Sequence, residues 1–309
     1  MDAYLEQALA PEDTRASVAR DVVFAATDGV PLAATLFTPP ARAERTGVVV
    51  VNSAMAVPRR YYAPFARFLA ASGLQVLTYD YRGIGGSRRE PLGQDRARLR
   101  DWGEKDFAAA LDWVARELGE SAPLVVGHSV GGQIVGLAPN NAQVRKLLLV
   151  GAQSGDWRLW PVRSRARILA FWYGIVPPVS RLLGYLPGGL LGGEAVPGGV
   201  VREWARWARR PGYVVGGRDG ARATGYARLG APIVAYSFTD DDFAPPRAVG
   251  ALLDLYRSAQ RTHRRVTAAQ LGLRSIGHFG FFRESQRDRL WVEARDWLLG
   301  AREIVASAS

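Results

Sequence analysis

Ser129 stands in the pentapeptide Gly127-His128-Ser129-Val130-Gly131, between the apolar run PLVV and the stretch GQIVG. A serine hydroxyl is a weak nucleophile at neutral pH and needs a fixed, exposed position and a base to take its proton. G-x-S-x-G between a strand and a helix supplies the position, because the flanking glycines have no side chain to collide with backbone at a sharp, strained turn. The alternative reading of the same residues is a glycine-rich turn that merely packs closely.

The chain has three histidines from which to choose a base, His128, His263 and His278. His128 adjoins the serine, where neighbouring side chains point apart. His263 lies in THRRV, which reads as the edge of the last strand. His278, in the glycine-flanked IGHFGFF before the last helix, sits on a loop and is the expected base. A third group is offered by YSFTDDDFAPP, residues 236–246. Three consecutive acids repel one another and read first as a solvated loop. A calcium loop would alternate its acids and place a glycine at the turn. The remaining reading makes one of Asp240, Asp241 and Asp242 a catalytic acid at a strand end, and the residues alone leave open which one.

These groups must be positioned by regular elements. Residues 21–27 and 32–38 read as two strands joined by the turn signal DGV. Strands and helices then alternate: TGVVVVNS, a helix through YYAPFARFLAASG, LQVLTYDYRG, a helix with Phe107, Leu111 and Val114 at helical spacing, PLVVGHS, KLLLVGAQSG, PIVAYSFT and a closing amphipathic helix in DRLWVEARDWLLGARE. Such alternation implies a mostly parallel sheet covered on both faces. From about residue 156 to residue 229 the rhythm breaks into a segment rich in Trp, Tyr, Leu, Gly and Pro, too long for a bare loop and read as an inserted cap of short helices.

At these motifs the sequence resembles the α/β-hydrolase superfamily, on the branch of capped serine aminopeptidase-like and monoacylglycerol-lipase-like hydrolases, and in YRGIGGSR and IGHFGFFR it is similar to uncharacterised bacterial predicted hydrolases. The resemblance implies an α/β fold with a twisted, mostly parallel sheet, a hydrolase core over residues 1–155 and 230–309, and a helical cap over 156–229. It implies the triad order serine, acid, histidine. Counting four back from Pro245 on the family's G-x-x-D-x-x-V-P pattern gives Asp241, with Asp240 and Asp242 as solvated neighbours and Asp240 also the rival one register away; Phe238 and Asp242 depart from the family's glycine and proline. The oxyanion donors follow as the amides of Val130 and, where relatives carry His-Gly, of Met55 beyond Ser53-Ala54. The turn from Asp80 to Ser87, with Asp80 and Arg82, is implied to fix loops.

The expected reaction is hydrolysis of a carboxylic ester through an acyl-enzyme, with a thioester, or a peptide or amide substrate, as the alternatives and a non-catalytic scaffold as the rival of another class. The substrate is a small molecule, and no metal or organic cofactor is implied. Trp157, Trp160, Phe171, Trp172 and Tyr173 suggest an apolar substrate pocket, unless they form the cap's own core. The cap's acids, Asp156, Glu194, Glu203 and Asp219, are few for holding a substrate ammonium.

Composition bounds the rest. A chain of 309 residues that is 48% hydrophobic buries a full core. Its net charge of +11 comes almost wholly from arginine, Lys105 and Lys146 being the only lysines. The clusters RSRAR and REWARWARR lack the context of a nucleic-acid module, so no nucleic-acid partner is expected, and Trp204 and Trp207 read as one apolar helix face. Residues 1–16 lack the basic-then-apolar order of an export signal, and the apolar window 168–179 is too short to span a bilayer, so a cytoplasmic protein is expected. No cysteine is present for a thiolate site or disulfide. The oligomeric state is left open.

Overall fold

The computed structural model describes residues 17–41, 43–217 and 224–306. The reading of residues 1–16 as lacking an export signal, and Asp219, lie outside the described residues. Among the described residues ten strands occur in chain order: β1 (Val18–Ala25), β2 (Pro31–Thr38), β3 (Gly47–Asn52), β4 (Leu74–Tyr79), β5 (Leu124–His128), β6 (Lys146–Val150), β7 (Tyr185–Leu186), β8 (Val196–Pro197), β9 (Ile233–Phe238) and β10 (Arg261–Val266). Eight of them form one sheet in the order β1-β2-β4-β3-β5-β6-β9-β10. β1 and β2 pair antiparallel, β2 meets β4 antiparallel, and from β4 to β10 every pairing is parallel. The first strand starts earlier than the sequence suggests, because Val18 is already paired with Thr38.

The unbroken apolar runs of the central strands are explained by two covered faces. In β3, Val48 and Val50 join the core on one side of the sheet and Val49 and Val51 the core on the other; Leu147 and Leu149 divide from Leu148 and Val150 in the same way along β6. Helix Ala108–Leu118 packs on the first face, its Leu111 and Val114 fully buried, and ends at Gly119 with φ 70°, a left-handed stop suited to glycine. Helices Ala63–Ala70 and Val292–Leu299 cover the other face, where Phe65 and Trp291 meet at 5.4 Å between ring centroids.

Between β6 and β9 the chain leaves the sheet. The described part of that segment contains helices Val162–Leu169, Val176–Leu182 and Gly198–Ala208 and the short antiparallel pair β7–β8. It is tied back by Glu194, whose amide donates to Ala56 O at 2.7 Å and whose carboxylate takes the Gly85 amide at 3.0 Å. Glu203 does the same through Arg100, accepting from its Nε at 2.7 Å and its amide at 2.9 Å.

Candidate active site

β5 ends at His128, and Ser129 follows with φ 52° and ψ −119°, a backbone conformation that costs a non-glycine residue about 1–3 kcal/mol. Its amide donates to Val150 O on the adjacent strand at 2.9 Å, and helix Val130–Gln133 starts at once. The flanking glycines are required by close backbone approach. A Cβ on Gly127 would lie 2.6 Å from Gly132 Cα, and one on Gly131 would lie 2.3 Å from Asn52 O. The alternative reading of a turn that merely packs closely accounts for these glycines but not for a serine held at positive φ.

β9 ends at Phe238, and the three acids that follow have three different surroundings. Asp241, 6% exposed, reaches His278 Nδ1 through Oδ2 at 2.8 Å, while its Oδ1 accepts the amides of Phe243 at 2.8 Å and Ala244 at 3.2 Å. Asp240 accepts the Ile276 amide at 2.7 Å, so it braces the loop that carries His278 and is not the solvated bystander expected of a rejected register. The exposed Asp242 stands 3.9 Å from Arg167. With a carboxylate on Nδ1, His278 carries its proton there and presents Nε2 as acceptor. Ser129 and His278 border the same cavity, with no hydrogen bond between them among the described residues. His263 lies on β10, with Ser237 Oγ at 2.7 Å from its Nε2.

Val130 follows the serine, and Met55 lies on the loop after β3. The Ala54 amide donates to the Tyr62 hydroxyl at 2.8 Å and the Ala54 carbonyl accepts from the Val57 amide at 3.2 Å. Because a peptide is planar and its C=O and N–H point opposite ways, pinning the Ala54 carbonyl turns the Met55 N–H to the other side. Neither the Met55 nor the Val130 amide has a hydrogen-bond acceptor among the described residues, although both residues are buried. Buried amides without acceptors are uncommon.

Ser129, Met55 and His278 open onto a cavity of about 400 Å³. Of the five aromatics expected in a pocket, Trp160, Phe171 and Trp172 line it. Trp157 and Tyr173 do not. Trp157 packs on the core with Arg158 over its ring at 4.8 Å, and Tyr173, half exposed, lies under Arg209 at 5.2 Å. Phe171, Trp172 and Tyr173 are consecutive in a helical stretch, where each residue turns by about 100°, so three in a row cannot face one cavity. Residues missed from the sequence also line it, among them Gln153 after β6, Ile168, Leu191, Trp204, and Phe243 and Phe279 near Asp241 and His278. Trp204 meets Trp172 edge to face at 4.7 Å, whereas Trp207, expected on the same helix face, is buried against Tyr213. Only its helical spacing to Trp207 marked Trp204, and that pointed to core. A larger cleft of about 1030 Å³ lies between residues 90–98 and helix Gly198–Ala208, lined by arginines and acids with no serine or histidine.

Asp80 and Arg82 hold loops. Asp80 accepts the Arg59 amide at 2.6 Å and the Gly86 amide at 2.9 Å, and Arg82 bonds Asp106 at 2.7 Å and Asp28 at 2.8 Å. Neither lines the cavity.

Comparison with known proteins places this chain in a wider group. A model described as the alpha/beta hydrolase family matches residues 48–291. Solved structures similar to this chain include the alpha/beta hydrolase GrgF from a Penicillium species (17% identical, 91% of this chain and 98% of that chain covered, TM-score 0.62). A hypothetical protein from Pseudomonas aeruginosa is 16% identical over 93% of this chain and 94% of that chain, at a TM-score of 0.62. A monoacylglycerol lipase from Paleococcus ferrophilus is 16% identical over 88% of this chain and 99% of that chain, at a TM-score of 0.57. At these identities the likeness is one of fold. No curated protein matches the sequence.

Proposed function

This chain belongs to the alpha/beta hydrolase family, and from that premise we propose that it is a serine hydrolase that cleaves a carboxylic ester with a lipophilic part through an acyl-enzyme. The observation that carries the reading is the meeting in one cavity of a serine held at φ 52° and a histidine bonded at 2.8 Å to a buried aspartate. Ser129 Oγ attacks the ester carbonyl and gives its proton to His278 Nε2. The oxyanion that forms takes the Met55 and Val130 amides. Collapse expels the alcohol, which receives the proton from His278, and water repeats the sequence to release the acid. Asp241 holds the imidazole in the right tautomer and stabilises its charged form.

The described part of residues 156–229 acts as the cap in this reading and roofs the acyl pocket with Trp160, Phe171, Trp172 and Leu191. The cap's described acids favour an ester over an aminopeptidase substrate. Asp156 bonds Arg158 and the Gly212 amide, Glu194 and Glu203 are committed as described above, and none of them lines the cavity. Asp242 is the one acid there among the described residues, and Arg167 stands beside it. A free substrate ammonium thus has no dedicated partner, while an uncharged ester or thioester needs none. No helix among the described residues is long and apolar enough to cross a membrane.

The test is labelling by a fluorophosphonate, followed by turnover of nitrophenyl esters. Labelling and turnover in the wild type, and neither in Ser129→Ala, are expected. High activity on aminoacyl arylamides with a flat response to acyl length overturns the ester assignment.

A further inference from the structure

His128 is fully buried beside the nucleophile, and the triad chemistry does not use it. Its ring joins two backbone groups from distant parts of the chain. Nε2 lies 3.0 Å from the carbonyl oxygen of His278, and Nδ1 lies 2.9 Å from the hydroxyl of Tyr62, which in turn stands 2.8 Å from the Ala54 amide nitrogen. The two ends dictate every proton between them. A carbonyl only accepts, so Nε2 carries the hydrogen; the neutral ring then accepts at Nδ1, so the Tyr62 O–H points to it; the phenol oxygen is left to accept from the Ala54 N–H. With His128 and Tyr62 both uncharged, only this direction satisfies all three bonds. Burial favours both states, depressing the basicity of His128 and raising that of the Tyr62 phenolate. Phe282 and Phe279 pack against the imidazole at 4.9 and 5.6 Å and leave it little room to rotate.

We propose that the buried chain Ala54 N–H, Tyr62 O–H, His128 and the His278 carbonyl is a positioning relay that sets the Met55 oxyanion donor and the His278 base at fixed places relative to Ser129. The inference rests on the serine hydrolase reading and adds two positioning residues, Tyr62 and His128, to it. Each end of the relay holds the backbone next to a working group. Ala54 adjoins Met55, and the relay fastens its amide on one side while Val57 fastens its carbonyl on the other. The far end grips the backbone of His278 itself, whose side chain Asp241 grips independently. His128 precedes Ser129 on β5, so the middle of the relay moves with the nucleophile. A displacement of about 1 Å at such a site costs on the order of 100-fold in rate.

The test compares wild type, Tyr62→Phe, His128→Leu and His128→Gln on nitrophenyl butyrate, with a trifluoromethyl ketone as transition-state analogue and butyrate as ground-state ligand. Tyr62→Phe keeps the shape of the ring and removes both bonds of the hydroxyl. It should lower kcat roughly 10–100-fold, leave KM within about twofold, weaken the ketone in step with kcat and leave butyrate unchanged. His128→Leu should do at least as much, and His128→Gln, which again offers an acceptor and a donor on neighbouring atoms, should recover much of the loss. A merely structural role lowers stability without this split between ketone and butyrate. A Tyr62→Phe protein with wild-type kcat and ketone affinity, or one altered only in KM, overturns the relay while the triad reading stands. A wild type that resists the fluorophosphonate and turns over no ester overturns the triad reading, and the relay with it.

Discussion

Asp241 divides its carboxylate between two duties: Oδ2 meets His278 Nδ1 at 2.8 Å, and Oδ1 takes the Phe243 amide at 2.8 Å. The oxygen bound to backbone fixes the plane in which the other approaches the imidazole. Replacement by Asn keeps the loop bond but presents an amide that can stabilise the wrong histidine tautomer. Asp241→Asn is expected to lower kcat by roughly 10,000-fold with little change in KM, measured by steady-state and burst kinetics on a nitrophenyl ester. Asp242→Asn should be near neutral.

Asp240 makes a separable prediction. Its bond to the Ile276 amide steadies the loop before His278 without touching the imidazole. Asp240→Asn should cost about 0.5–1.5 kcal/mol of stability in urea unfolding and lower activity only a few-fold. A loss of activity as large as that of Asp241→Asn would mean that the two acids exchange roles in solution.

The buried imidazole of His128 predicts a pH dependence of folding. Burial, and then the neighbouring His278, hold it well below its ordinary value of 6.5. Below about pH 6.5 the unfolded chain therefore binds a proton that the folded one refuses, so this contribution to stability is complete above that pH and drains as pH falls toward the folded value. The slope approaches about 1.4 kcal/mol per pH unit for one group. Urea midpoints at pH 7.5, 6 and 5 should fall less steeply for His128→Gln than for wild type; parallel lines would contradict the burial argument. His263, also held low by burial and by Arg265, affects both proteins alike.

Gly131 has no room for a methyl group, since a Cβ would sit 2.3 Å from Asn52 O and 2.6 Å from Ser53 O, backbone atoms of the neighbouring strand end. Gly131→Ala should destabilise by several kcal/mol or prevent soluble expression, and Gly250→Ala, where no atom lies within 4 Å of the added Cβ, should not. Denaturation midpoints of the two variants settle the contrast.

The cavity walls predict a chain-length response. Burial of each methylene contributes about 0.8 kcal/mol, so kcat/KM over nitrophenyl esters from acetyl to dodecanoyl should climb several-fold per carbon until about 400 Å³ is filled. Leu191→Trp should move the optimum to shorter acyl chains. A wild-type optimum unaffected by that change would remove the segment's wall from the acyl site.

The mostly parallel sheet, the sharp strand-to-helix turn at Ser129 and the acidic loop after a strand could be read from the sequence because each rests on local pattern: β-branched runs such as VVVV, glycines at fixed offsets from Ser129, a strand followed by DDD and proline. What could not be read depends on contacts between distant residues. The job of Asp240 is set by Ile276 across the loop, and the facing of Tyr173 by how its helix packs, which spacing alone does not orient. The position of His128 next to Ser129 in the chain says nothing about Tyr62 and the His278 carbonyl, which its two ring nitrogens meet.

β10 closes one side of the sheet, and its outer edge has no partner strand among the described residues. Such an edge invites a second chain to add on, and self-association through open strands is a common route to aggregation. Here the strand reads Arg261-Thr262-His263-Arg264-Arg265-Val266. A second copy arriving antiparallel would add its own three arginines to Arg261, Arg264 and Arg265 on one seam, so positive charge accumulates along the joint. Part of the arginine excess that looks like compositional bias in the sequence thus lies along one of the two outer strands of the sheet, where like charge disfavours the pairing of copies.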